Sequence, residues 1–275
     1  MAVYKRNYVK KVNKRNWFSN LSLTNSLIIL NVVTYFISLL ILTIYGEKFF
    51  LDNIALSPML VLSGQTIWTF LTSMFSHVMF FHLFANMFSL FFVGNFVEKI
   101  IGRKRMLWFY IIAGIVGGAF FVIGGILFNN DIPGIGASGA IFGLVGILAV
   151  LIPYSRIYLI AGPLIVLLIQ AILSQVLSSS ILATFNFIFN ILVIVMIFAI
   201  FSWNPSIRKL AVPIQLPMWL LPIVAIVPLI ILGYFVSLPI SNSAHFGGLV
   251  VGLAYGFYLR KRYNKKVKML RRMYK

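Results

Sequence analysis

The chain has 275 residues, 61% of them hydrophobic and 10% charged, and 23 Lys and Arg stand against 4 Asp and Glu for a net charge of +19. Soluble domains carry about 25% charged residues, so this composition excludes a water-soluble single-core enzyme, and its hydrophobicity excludes a disordered basic nucleic-acid binder. A polytopic helical membrane protein is left; with no cysteine, disulfides, thiolate catalysis and Cys-based metal sites are excluded as well.

A spanning helix needs roughly 20 apolar residues. The chain offers eight such stretches, at about 24–45, 77–97, 106–128, 137–153, 157–177, 181–203, 215–236 and 244–260. The first follows a basic tail, 1–23, and no A-x-A-like cleavage site follows it, so it reads as an uncleaved signal anchor. The loop 46–66 holds Phe49, Phe50, Leu51, Ile54, Met59, Leu60, Val61 and Leu62, a composition suited to the outer membrane interface rather than to water.

Lys and Arg placement sets the orientation. With eight spans, 22 of the 23 basic residues fall on one side: the N-terminal tail, the 261–275 tail with Arg260 before it, and the turns carrying Lys99, Arg103, Lys104, Arg105, Arg156, Arg208 and Lys209. Both termini are therefore expected in the cytoplasm. The positive charge is then topological and attracts anionic lipids at the basic tails, and no nucleic-acid partner is expected.

Polar groups inside a membrane are expensive and mark function by default. This topology places all three histidines, His77, His82 and His245, in one layer near the outer face, together with Asn86 and with Ser138 of the run Gly136-Ala137-Ser138-Gly139. Taken singly, each has a plain structural role as a packing serine, a helix-start histidine or interhelical hydrogen-bond glue. Gly139, Gly143 and Gly146 on the fourth span and Gly248, Gly252 and Gly256 on the eighth form two small-residue faces, which suggests that these helices touch and bring Ser138 near His245. A zinc site is disfavoured: His77 and His82 are about 140° apart around a helix, and no HExxH is present.

The set His77-x4-His82-x3-Asn86, Gly136-Ala137-Ser138-Gly139 and Ala244-His245-x2-Gly248-x3-Gly252 resembles the signature of the rhomboid intramembrane serine proteases, and Glu98-x3-Gly102-x2-Arg105 is similar to the family's pattern after its second helix. The resemblance implies an all-α bundle around a six-helix core, with a water-filled active site open to the extracytoplasmic side. It implies Ser138 as nucleophile and His245 as base in a dyad without an acid, and an oxyanion hole from Asn86, His82 and the Ser138 N–H. It also implies supporting positions for His77, Phe142, Gly136 and Gly139, helix packing through Gly248 and Gly252, and neither cofactor nor metal. The substrates implied are single-span or membrane-anchored proteins in the bilayer, cut near the outer face; a non-cleaving pseudoprotease or membrane chaperone on the same fold is the alternative. A prokaryotic plasma membrane is the expected location.

Two departures from the family pattern stand out. Trp68 is followed by Thr69 where the family often has Trp-Arg in its first loop. Ser138 and His245 are 107 residues apart, about twice what a six-span core needs. The excess reads as an inserted transmembrane hairpin, 154–212, between a first core part, 24–153, and a second, 213–260, whose span 215–236 and loop 237–243 match the family's gating helix and cap. Within the hairpin, Gln170 stands across from Asn186 and Asn190, and an amide–amide contact is expected to join its two helices.

Overall fold

The computed structural model describes residues 21–177, 179–235 and 241–274. The expected N-terminal tail up to residue 20, the last residue of the expected span 215–236 and residues 237–240 of the expected cap lie outside the described residues. The chain is an integral membrane bundle of helices, with large apolar side chains such as Phe36, Trp108, Phe128 and Phe198 exposed on its outside, where lipid is their solvent.

Helix α1 (Leu23–Asn53) begins the bundle and bends at Gly46, whose φ of 82° no β-carbon tolerates easily. Short helices α2 (Pro58–Leu62) and α3 (Thr69–Thr72) follow. The next span is one continuous rod: α4 (Phe80–Ser89), a π turn over Leu90–Gly94, and α5 (Asn95–Ile101). Helix α6 (Arg103–Leu127) returns, and α7 (Ser138–Leu151) enters the centre. Strand β1 (Arg156–Ile160), helices α8 (Gly162–Leu173), α9 (Ser179–Ile200) and α10 (Pro205–Arg208), and strand β2 (Pro213–Pro217) come next. The chain ends in α11 (Leu221–Phe235), α12 (Asn242–Arg262) and α13 (Asn264–Met273).

Glu98 explains how the first two spans lock together. Its carboxylate accepts the N–H groups of Leu23 and Thr24 and the Thr24 hydroxyl, all at 2.8 Å. It thus caps the positive N-terminus of α1 from a neighbouring helix. Gly102 turns the chain between α5 and α6 at φ 85°, ψ 155°, a region essentially reserved for glycine. Arg105 donates to the Tyr263 hydroxyl at 2.9 Å and lies 5.0 Å over that ring. The three spaced residues Glu98, Gly102 and Arg105 brace one end of the bundle.

The outer loop is tied down without an arginine after Trp68. Leu56 and Gly134 exchange both backbone hydrogen bonds at 2.9 Å, and Asp131 accepts from Ser57 Oγ and from the Met59 N–H. Trp68 Nε1 donates to the Asn53 carbonyl at 2.9 Å.

Two expected spans change form. The stretch 157–177 is not one helix: Arg156–Ile160 is a strand, and α8 has only 12 residues, about 18 Å at 1.5 Å per residue. The stretch 215–236 likewise opens as a strand. β1 and β2 pair antiparallel from Arg156 with Pro217 to Ile160 with Pro213. Proline at both ends of β2 blocks a helix there and suits an edge strand. Everything between the strands leaves and returns through this ribbon, and Gln170 Nε2 donates to Asn186 Oδ1 at 2.8 Å to join α8 to α9, the contact expected from the sequence.

Helix α7 is apolar all round and is buried from Gly139 to Leu151, as such a helix must be. Its 14 residues span about 21 Å against a hydrocarbon core of about 30 Å.

Candidate active site

Glycine at the α7–α12 contact decides what meets at the outer end. A β-carbon on Gly248 would strike the Gly139 carbonyl, and one on Gly252 the Gly143 carbonyl. The two backbones therefore touch directly. Gly117 of α6 closes the junction: its added β-carbon would lie 3.0 Å from the Ala244 carbonyl and 3.4 Å from Gly139 Cα. Sequence reasoning missed Gly117, although Gly114, Gly117 and Gly118 form a small-residue cluster in the third span that could have shown it.

His245 sits in the first turn of α12, where Ser241 Oγ accepts the Ala244 N–H at 3.2 Å and starts the helix. The imidazole is 5% exposed, and its Nε2 lies 2.8 Å from Ser138 Oγ. Phe142, one turn after Ser138, stacks on it with centroids 4.4 Å apart and planes 21° from parallel. Among the described residues no acid approaches; His245 Nδ1 is buried without a hydrogen-bond partner. Glu98 and Asp131 are engaged elsewhere, as described above, and Asp52 pairs with Lys48 at 2.7 Å.

A second cluster, on α4 and the segment before it, lies against the loop that leads to Ser138. Gly136, at φ 121°, brings its backbone so close to the His82 ring that a β-carbon would lie 2.7 Å from Cε1 and 2.9 Å from Nε2. Its N–H donates to the Ser73 carbonyl at 2.8 Å, which fixes the loop before α7; nothing in the sequence pointed to Ser73. Asn86 is buried and donates from Nδ2 to the His82 carbonyl at 3.0 Å, and lies 3.2 Å from His77 Nε2. The His77 and His82 rings meet at 5.0 Å, nearly edge to face. One placement differs from expectation: His77 is not on the second span. The helix begins at Phe80, and His77 lies in the extended segment before it, fully buried against the cluster.

Distant parts of the sequence thus supply one cluster: Ser138, Phe142 and Gly136 from α7 and its approach, His245 from α12, and His82 and Asn86 from α4, with His77 beside them. A family model described as the Rhomboid domain matches residues 64–191 and 164–262. The chain belongs to the rhomboid family. Among curated relatives, this rhomboid is 42% identical to Inactive RHOMBOID-like protein 8 of Arabidopsis thaliana over 83 residues, 30% of this chain and 22% of that protein. It is 38% identical to RHOMBOID-like protein 1 of Arabidopsis thaliana over 92 residues, 34% of this chain and 23% of that protein. It is 42% identical to Rhomboid protease GluP of Bacillus subtilis over 82 residues, 30% of this chain and 15% of that protein. The rhomboid thus matches less than a quarter of the length of each of these relatives.

Proposed function

We propose that this rhomboid is an intramembrane serine endopeptidase that cleaves membrane-anchored proteins near the outer face of a prokaryotic plasma membrane. The observation that carries this reading is the 2.8 Å approach of Ser138 Oγ to His245 Nε2 beneath the Phe142 ring. A hydroxyl within hydrogen-bond reach of an oriented imidazole is the arrangement that activates a serine.

In this reading, neutral His245 removes the Ser138 proton as Oγ attacks the scissile carbonyl. The resulting oxyanion is held by the Ser138 N–H and the His82 ring, with Asn86 turning an N–H to it from the His82 carbonyl; such bonds commonly tighten only once substrate is bound. His245 then protonates the leaving amine, and an acyl-enzyme on Ser138 remains. Water attacks that ester with His245 again as base, and Ser138 is released. The shortness of α7 supports the reading: with its C-terminus at the cytoplasmic boundary, a helix of about 21 Å in a core of about 30 Å would leave Ser138 roughly 9 Å below the outer boundary, within reach of a lipid-bound segment and of water from outside.

The pseudoprotease alternative is favoured by one finding, the equal 42% identity to a relative named inactive. The discriminating experiment is cleavage of a fluorogenic transmembrane substrate in liposomes by wild type and Ser138→Ala, beside fluorophosphonate labelling. Cleavage and labelling by wild type alone support the protease. A folded wild type that does neither across several substrates supports the binding protein.

A further inference from the structure

The cytoplasmic end of α7 is held as closely as its outer end. Arg271 of α13 donates from Nε to the Leu151 carbonyl at 3.0 Å and from Nη2 to the Val150 carbonyl at 2.8 Å. These are terminal carbonyls of a helix, short of intrahelical partners and at the negative end of its dipole. Val267 is buried beneath α13, and Tyr274 packs on Phe96 with centroids 4.9 Å apart. The amphipathic C-terminal helix is therefore a clasp on the helix that begins with Ser138.

Beside the clasp lies a cleft of about 290 Å³ between α13 and the turn after α7. Lys268, Arg271 and Arg272 line it from one side, and Tyr154 and Ser155 from the other. Its volume is close to the lower end of small-molecule pockets, about 300 Å³. Among the described residues no acid neutralises it, since Lys48–Asp52 is the one ion pair there. Arg271 spends two of its N–H groups on carbonyls and, of the five a guanidinium carries, has the rest to offer. Its pKa is pushed below the ordinary arginine range, first by burial and then by the Arg260 charge. Three cations in one lining with the hydroxyl-bearing Tyr154 and Ser155 are a donor set suited to a tetrahedral anion. Met269 and Met273 are exposed on the same helix, 59% and 66%, which places the cleft at an apolar–polar boundary.

We propose that this cleft binds a phosphate ester, supplied by the headgroup of an anionic phospholipid of the cytoplasmic leaflet, and that the bound phosphate tightens the α13 clasp on α7. The proposal goes beyond the protease reading and does not depend on it.

The test uses the full chain, purified in a neutral detergent, with native mass spectrometry for bound lipid and a thermal-unfolding readout. Phosphatidylglycerol, phosphatidylcholine and inorganic phosphate are titrated separately. Wild type is expected to retain phosphatidylglycerol in preference to phosphatidylcholine and to gain a few degrees in unfolding midpoint. Lys268→Gln/Arg272→Gln is expected to lose about tenfold or more in phosphatidylglycerol affinity and to lose the gain. A control pair outside the cleft, Lys261→Gln/Lys265→Gln, is expected to keep both. Equal retention by the cleft variant and wild type, or equal loss by the control, overturns the proposal. An equal midpoint gain from inorganic phosphate alone, with none added by lipid, keeps the phosphate site and overturns the lipid source. Lys268 and Arg272 are exposed, so the fold does not rest on them; if the pair nonetheless unfolds, the single Arg272→Gln carries the same comparison.

Discussion

Phe142 and His245 lie face to face, centroids 4.4 Å apart, while the far edge of the imidazole holds Ser138 Oγ at 2.8 Å. Among the described residues no carboxylate orients His245 from Nδ1, so the aromatic face does the orienting. Phe142→Leu is therefore expected to lower kcat about tenfold with KM little changed, because the imidazole samples unproductive angles. Phe142→Tyr should retain most of the rate. Steady-state kinetics on a transmembrane substrate separate the two; a Phe142→Leu enzyme with wild-type kcat would remove this role.

Ser138→Ala is expected to reduce cleavage by about 10⁴-fold or more and to abolish fluorophosphonate labelling. Its unfolding midpoint should stay near the wild-type value, since Ser138 is only half-buried.

The base works only when unprotonated. kcat/KM should therefore rise with pH on the acid side, with unit slope, and then level off. A kcat/KM that falls as pH rises from 5 to 8 would argue against a histidine base.

Backbone contact between α7 and α12 makes a ranked stability prediction. Gly248→Ala and Gly252→Ala each drive a β-carbon into a carbonyl of α7 and are expected to lower the unfolding midpoint strongly or prevent folding. Gly233→Ala, whose new carbon among the described residues meets only Asn242 Nδ2 at 3.4 Å, is expected to be tolerated. Thermal unfolding in detergent orders the three.

Gln170 and Asn186 call for a double-mutant cycle. Interhelical hydrogen bonds in membranes average about 0.6 kcal/mol, so Gln170→Leu and Asn186→Leu should couple by about that amount and leave cleavage unchanged. Zero coupling would mean that the 2.8 Å contact contributes nothing to joining the helices.

Much of the bundle was legible because a membrane simplifies the code. Long apolar runs, basic turns and costly polar residues are strong signals, and they brought Ser138, His245, His82 and Asn86 to one depth. The glycine faces were legible because only close approach gives repeated glycine a use there. The ribbon was not. Arg156–Ile160 and Pro213–Pro217 are short and apolar, and hydrophobicity alone does not separate such a strand from the end of a helix. His77 was misplaced for a related reason: Ser76–Met79 is apolar enough to read as helix, yet its backbone is extended. The clasp at Arg271 was hidden because a basic tail has the same composition whether it is solvated or docked.

The five-rung ladder from Arg156–Pro217 to Ile160–Pro213 has a mechanical meaning. Residues 161–212 depart from and rejoin the bundle at a single narrow doorway. Beyond that doorway the segment still touches the core, α8 on α11 and Phe201 on Phe88 of α4 with ring centroids 6.5 Å apart. Its footing, rather than its length, is what the spacing of α7 and α12 answers to, so a shorter connection on the same two strands is expected to leave Ser138 and His245 in register.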